Sequence, residues 1–124
     1  QPLDFYVRLP HMATITPAVS IVSGQTRVTW TGVSTADTMT SWQVPVGKKL
    51  YGSVQFKSTF GAATVKLQMS NDNTTFFDMK DKYGTAISAT AASIFDFDTS
   101  AGYLNVASSG GTADNVDVIV ILRN

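Results

Sequence analysis

Hydrophobic and polar residues alternate with a period of two along most of this chain, in short runs divided by turn-forming residues. That period is the signature of half-buried β-strands, whose side chains point alternately to the two faces of a sheet. The clearest run covers residues 64–79. Val65, Leu67 and Met69 alternate with Lys66, Gln68 and Ser70, and Asn71, Asp72 and Asn73 then break the pattern. Asn and Asp tolerate left-handed backbone angles and bond their own main chain, so they predict a turn, with Phe76 and Phe77 opening a return strand.

The other runs have the same character. Residues 18–22 and 25–31 flank Ser23-Gly24 and predict a hairpin, with Val28 and Trp30 set against Thr29 and Thr31. Residues 38–44 predict one strand with Met39, Ser41 and Gln43 on one face and Thr40, Trp42 and Val44 on the other. Pro45-Val46-Gly47-Lys48 predicts a turn. In residues 49–58 Leu50, Gly52, Val54 and Phe56 oppose Tyr51, Ser53, Gln55 and Lys57, and Gly52 leaves a gap for a neighbour's aromatic ring. Residues 85–92 predict a loose strand or loop. In residues 93–97 Ile94 and Asp96 face away from Ser93, Phe95 and Phe97, and 102–107 carry Leu104 and Val106. Residues 108–112 predict a flexible tip.

The closing run, 115–122, places Val116, Val118, Val120 and Leu122 on one face and Ile119 and Ile121 on the other. A strand apolar on both faces is central in a sheet or lies in a subunit interface. Eight to ten short strands at a spacing of about 8–12 residues predict an all-β domain, an antiparallel β-sandwich of jelly-roll type.

Residues 1–17 differ from the rest. Pro2, Pro10 and Pro17 allow only a short extended piece, because proline suits an arm or an edge and not a central strand. Residues 18–124 are therefore expected to form the sandwich and 1–17 an extended N-terminal arm, with Phe5, Tyr6 and Leu9 for contact with a partner or neighbour. The alternative for residues 1–11 is a cloning remnant: His11-Met12 matches a common junction, and Met12-Ala13-Thr14 reads as a start.

Composition sharpens the fold and narrows the chemistry. At 124 residues one domain is expected. All nine acidic residues are Asp; there is no Glu, a good helix former, against 16 Thr, which favour strands. Without cysteine the chain has no disulfide and no thiolate metal site. The formal net charge is zero, which argues against a nucleic-acid partner, whose binding needs a basic face. No run approaches the roughly 20 apolar residues of a membrane helix.

Candidate chemistry is sparse. The single histidine, His11, lies in the arm, and triads or cysteine nucleophiles have no parts. Asp96 and Asp98 share one strand face about 7 Å apart, which reads either as solvated carboxylates or as part of an acid pair or calcium site. Asp72 with Asn71 and Asn73 offers a calcium reading beside its turn chemistry. Gly110-Gly111 is followed by no lysine and opens no helix, so it is not a phosphate loop. Trp30, Trp42 and Tyr51 read as a sugar-stacking platform or as sandwich core. The expectation is a non-enzymatic protein without a cofactor, with Tyr51, Ile119 and Ile121 for self-association.

The run from Val65 to Met79, followed by Lys-Asp-Lys-Tyr-Gly-Thr-Ala-Ile-Ser, resembles a strand–turn–strand signature of small structural proteins of tailed bacteriophages. There a strand ending in Ser-Asn-Asp-Gly leads to Thr, an aromatic residue and a short Asp-x-x-Gly-Thr-Ala turn. Tyr103-Leu-Asn-Val and Ser108-Ser-Gly-Gly-Thr-Ala-Asp-Asn-Val-Asp-Val resemble the end of the same pattern, so the likeness covers about residues 63–122. Asn73 stands where the pattern has Gly, and Phe76 where Trp is common. A similar hairpin occurs in discoidin-like jelly rolls that bind carbohydrate or lipid. The resemblance implies a head decoration (cement) protein of the virion, bound to the major capsid protein and assembled as a homo-oligomer, a trimer favoured. The rival expectations are a glycan-binding module of a tail fibre or surface protein, and a tail or baseplate subunit.

Overall fold

In the computed structural model, which describes residues 13–45 and 50–123, alternation resolves into an all-β domain. The strands are β1 (Thr14–Ile15), β2 (Ala18–Val22), β3 (Gln25–Val33), β4 (Thr38–Met39), β5 (Trp42–Gln43), β6 (Leu50–Thr59), β7 (Thr64–Ser70), β8 (Phe77–Asp78), β9 (Ser88–Ala89), β10 (Ser93–Thr99), β11 (Tyr103–Ser109) and β12 (Asn115–Arg123). They form two five-stranded sheets, packed face to face as an antiparallel β-sandwich, with β1 and β4 as a small parallel pair beside them. One sheet has the order β10-β6-β12-β3-β2. The other runs β5-β11-β7-β8, with β9 also on β7.

The core follows from strand parity, except in β3, where a register shift against β12 between Trp30 and Val33 brings Val33 inward as well. Val28, Trp30 and Val33 of β3, Val54 and Phe56 of β6, and Val116, Val118, Val120 and Leu122 of β12 turn inward from the first sheet. Val65 and Leu67 of β7 and Leu104 and Val106 of β11 meet them from the second. Phe95 packs edge-on against Phe56, ring centroids 5.9 Å apart, a geometry that sets a positive ring edge against a negative face. The long strand β12 sits in the middle of its sheet, paired to β6 on one side and β3 on the other, as its two apolar faces predicted.

Several turns obey their residues closely. Ser23 and Gly24 both take positive φ (52° and 78°), which closes the β2–β3 hairpin with the twist that two-residue loops favour. Residues 108–112, expected as a flexible tip, are tied down: β11 runs on to Ser109, the Thr112 amide donates to the Gly61 carbonyl at 2.8 Å, and Gly111 N donates to Thr35 Oγ1 at 2.8 Å.

Two other expectations are corrected. Residues 38–44 do not form one strand but break at Thr40-Ser41 into β4 and β5. The break lets both Met39 and Trp42 pack on the core, which strict alternation forbids, and the Thr40 carbonyl accepts from Trp30 Nε1 at 2.8 Å. Gly52 makes room for backbone and not for a ring: a Cβ there would lie 1.8 Å from the Ile121 carbonyl oxygen. Val19 and Ile21 share the core-facing parity of Val28 and Thr26, their register partners, yet stand exposed (48% and 75%) because β2 is the edge of its sheet. The predicted turn at residues 45–48 falls largely outside the described residues, as does the expected arm with Phe5, Tyr6 and Leu9.

Candidate interaction face

The outer surface of the β10-β6-β12-β3-β2 sheet gathers the residues expected to mediate self-association. Register fixes its rows. Ile94 of β10, Gln55 of β6, Ile119 of β12, Thr29 of β3 and Ala18 of β2 lie side by side in one row. The next holds Asp96, Ser53, Ile121, Arg27 and Ser20. Asp98, Tyr51 and Arg123 begin a third, and Lys57 opposes Asp117 in a fourth. Tyr51, Ile119 and Ile121 thus share one face on adjacent strands, Ile119 and Ile121 half-buried and Tyr51 52% exposed. Ile94 adds a further apolar side chain, 64% exposed, at the β10 end.

Charge is unevenly spread over this face. Asp96 and Asp98 occupy the β10 side, whereas Arg27 and Arg123 lie toward β3. The Lys82 amide donates to the Asp96 carbonyl at 3.0 Å, which holds the 80–85 loop against β10, and Lys82 Nζ stands 4.0 Å from the Asp96 carboxylate. At half exposure and that distance the ion pair contributes little. The Gln25 amide, turned oxygen-first, accepts from Arg123 Nη2 at 2.7 Å and so braces the guanidinium. Tyr51, Ser53, Lys82, Asp96, Asp98, Ile121 and Arg123 frame a shallow concavity of about 340 Å³.

Of the two readings of Trp30, Trp42 and Tyr51, the sugar platform does not form. Trp30 is fully buried, Trp42 is half-buried on the opposite sheet, and Tyr51 alone reaches the outer face of the first sheet. The aromatic residues read together in sequence are separated by the sandwich itself. Asp96 and Asp98 do share their strand face, but among the described residues no three carboxylates or imidazoles gather as a metal site would require.

The 64–79 hairpin is built as its residues demand. Asp72 Oδ1 accepts from the amides of Thr74 and Thr75, both at 2.9 Å, and from Ser70 Oγ at 2.8 Å. Ser70 Oγ in turn accepts from the amides of Asp72 and Asn73, and Asn73 takes the left-handed φ of 59°. Those donors, Thr75 first, then Thr74 and Ser70, hold the Asp72 carboxyl down to about 2. The carboxylate is engaged in its own turn, which is the structural reading of Asn71-Asp72-Asn73. On β7 and β8, Gln68 and then Lys66 lower the Asp78 carboxyl, with Lys66 Nζ at 3.0 Å. Phe77 opens β8 and is exposed, whereas Phe76, expected to open it too, precedes the strand.

One buried polar cluster went unread in sequence. Asp114 Oδ2 accepts from the Thr35 amide at 2.8 Å, from Thr35 Oγ1 at 3.0 Å and from Ser108 Oγ at 3.1 Å, which locks the 34–37 loop to the ends of β11 and β12. No periodic signal marks such a residue, because its partners are 79 and 6 positions away.

No protein-family model matches the chain, and no curated protein sequence matches it.

Proposed function

We propose that this chain is a head decoration protein of a tailed bacteriophage, a non-enzymatic β-domain of the virion that binds the major capsid protein from outside and stabilises the shell. The observation that supports the reading most is the 64–79 hairpin, whose residues resemble the phage signature and whose turn is locked by Ser70 and Asp72. A rigid sandwich with an uncovered apolar stripe, Ile94, Ile119 and Ile121, suits a part that works by contact. On a symmetric lattice, many such contacts multiply a modest affinity at each site. We read the connectivity as a jelly roll. Chain order sends β3 to the second sheet at β5, returns it at β6, crosses again to β7, and repeats the exchange through β10, β11 and β12.

A second reading, a glycan-binding module, has one observation in its favour. Tyr51 stands beside Asp98 at the concavity that Arg123 and Asp96 also line, and aromatic rings with carboxylates and guanidinium groups suit sugar hydroxyls. A tail or baseplate subunit would draw on the same fold.

Co-sedimentation with emptied, expanded heads of a phage that encodes this chain tests the first reading. Saturable binding, with heads that then resist heating, supports it. Failure to sediment with heads, together with saturable binding on a glycan array that Tyr51→Ala abolishes, favours the second.

A further inference from the structure

We propose that the outer face of the five-stranded sheet is a two-fold self-association surface, occupied by the same face of a second copy. This face is complementary to its own image. Its strand order is β10-β6-β12-β3-β2. A two-fold axis lying in the interface, parallel to the strands and between β6 and β12, exchanges β6 with β12 and β10 with β3. Rows are kept, so each residue of β10, β6, β12 and β3 meets a partner from its own row on the second copy, at the roughly 10 Å spacing of stacked sheets, while β2 overhangs the edge.

Asp96, Arg27, Lys57, Asp117 and Arg123 then find suitable counterparts. In the row of Asp96, Ser53, Ile121 and Arg27, Asp96 of one copy faces Arg27 of the other, and Ser53 faces Ile121. In the Lys57–Asp117 row the two residues exchange places, so Lys57 faces Asp117 twice across the axis. Tyr51 faces Arg123, a guanidinium set toward a ring face, which is favourable once water is excluded. Ile94 faces Thr29 and Gln55 faces Ile119, which covers the apolar stripe without setting like charges together. A face meant for bulk water has no need of this pairing. An isologous interface requires it, because residue i must suit residue j in both directions.

The surface requires only copies of this chain, so it stands or falls separately from capsid binding. It also predicts an even-numbered assembly: a three-fold contact, the form that the phage resemblance favours, would use a different surface.

Sedimentation velocity of the full chain over a concentration series tests it, with circular dichroism confirming that each variant keeps its fold. The wild type is expected to form a dimer. Asp96→Arg alone and Arg27→Asp alone each place like charges in contact and weaken dimerisation by at least about tenfold. The double variant Asp96→Arg/Arg27→Asp restores the dimer, and an equimolar mixture of the two single variants forms a mixed dimer, since both charge pairs are re-formed there. A wild type that stays monomeric at every concentration overturns the proposal. So do single variants that dimerise as well as the wild type, or a double variant that remains as weak as the singles.

Discussion

Gly52 and Ile121 stand so close across the β6–β12 ladder that the Ile121 carbonyl oxygen occupies the place where a Cβ on residue 52 would be, 1.8 Å away. Both strands are central in their sheet, so neither backbone can retreat without disturbing the core above it. Gly52→Ala is therefore expected to destabilise the fold by about 1–3 kcal/mol or more, the usual range for overpacking. Urea unfolding of the variant against wild type measures it, and an unchanged midpoint would contradict the close approach.

Asp72 gives the hairpin a pH signature. Its folded carboxyl titrates near 2, below its ordinary 3.8, because the Thr75 and Thr74 amides and Ser70 Oγ bond the charged form. A lowered folded value means stability that is fully present above the unfolded value and is lost as pH falls toward the folded one. Melting temperature should drop between pH 4 and pH 2 more steeply in the wild type than in Asp72→Asn. Parallel curves for the two proteins would show that the turn carboxylate carries no such linkage.

Trp30 ties β3 to the break between β4 and β5 through one bond. Its indole Nε1 donates to the Thr40 carbonyl while the ring is fully buried. Trp30→Phe leaves that carbonyl without its donor and removes ring volume. The expected loss is about 1–3 kcal/mol from the unpaired carbonyl alone. Equilibrium denaturation reads the loss directly. Trp30 emission in the wild type should be blue-shifted and move to the red on unfolding, and emission already at the solvent-exposed position would contradict its burial.

Strand parity carried most of the fold in the sequence, and its failures have identifiable causes. The runs at 25–31, 64–70 and 115–122 were legible because each has one face committed to the core, so a slip by one residue would expose it. Residues 38–44 misled because a hydrogen bond from Trp30, ten positions earlier, rewards a break that local alternation does not encode. Ile119 and Ile121 marked the candidate face by being apolar where parity asked for polar residues. Arg27 and Asp96 did not, because their relation depends on strand order, and that order comes from pairings between residues far apart in the chain.

Asp114 offers the clearest test of a feature invisible to periodicity. Three donors from Thr35 and Ser108 converge on one of its oxygens in a mostly buried position. Asp114→Ala strands those donors and is expected to lower stability by about 1.5–3 kcal/mol, the range for bonds to a charged group. Amide exchange at Thr35 should accelerate in the same variant. Protection at Thr35 equal to wild type would show that the loop is held by other means.

The proposed role is that of a phage-head part that acts by contact. Cryo-electron microscopy of virions produced with a tagged copy of the chain tests that most directly. The predicted result is density for the β-sandwich on the outer capsid surface, in symmetrically placed copies. Density confined to the tail, or intact heads that carry no copy at all, would contradict it.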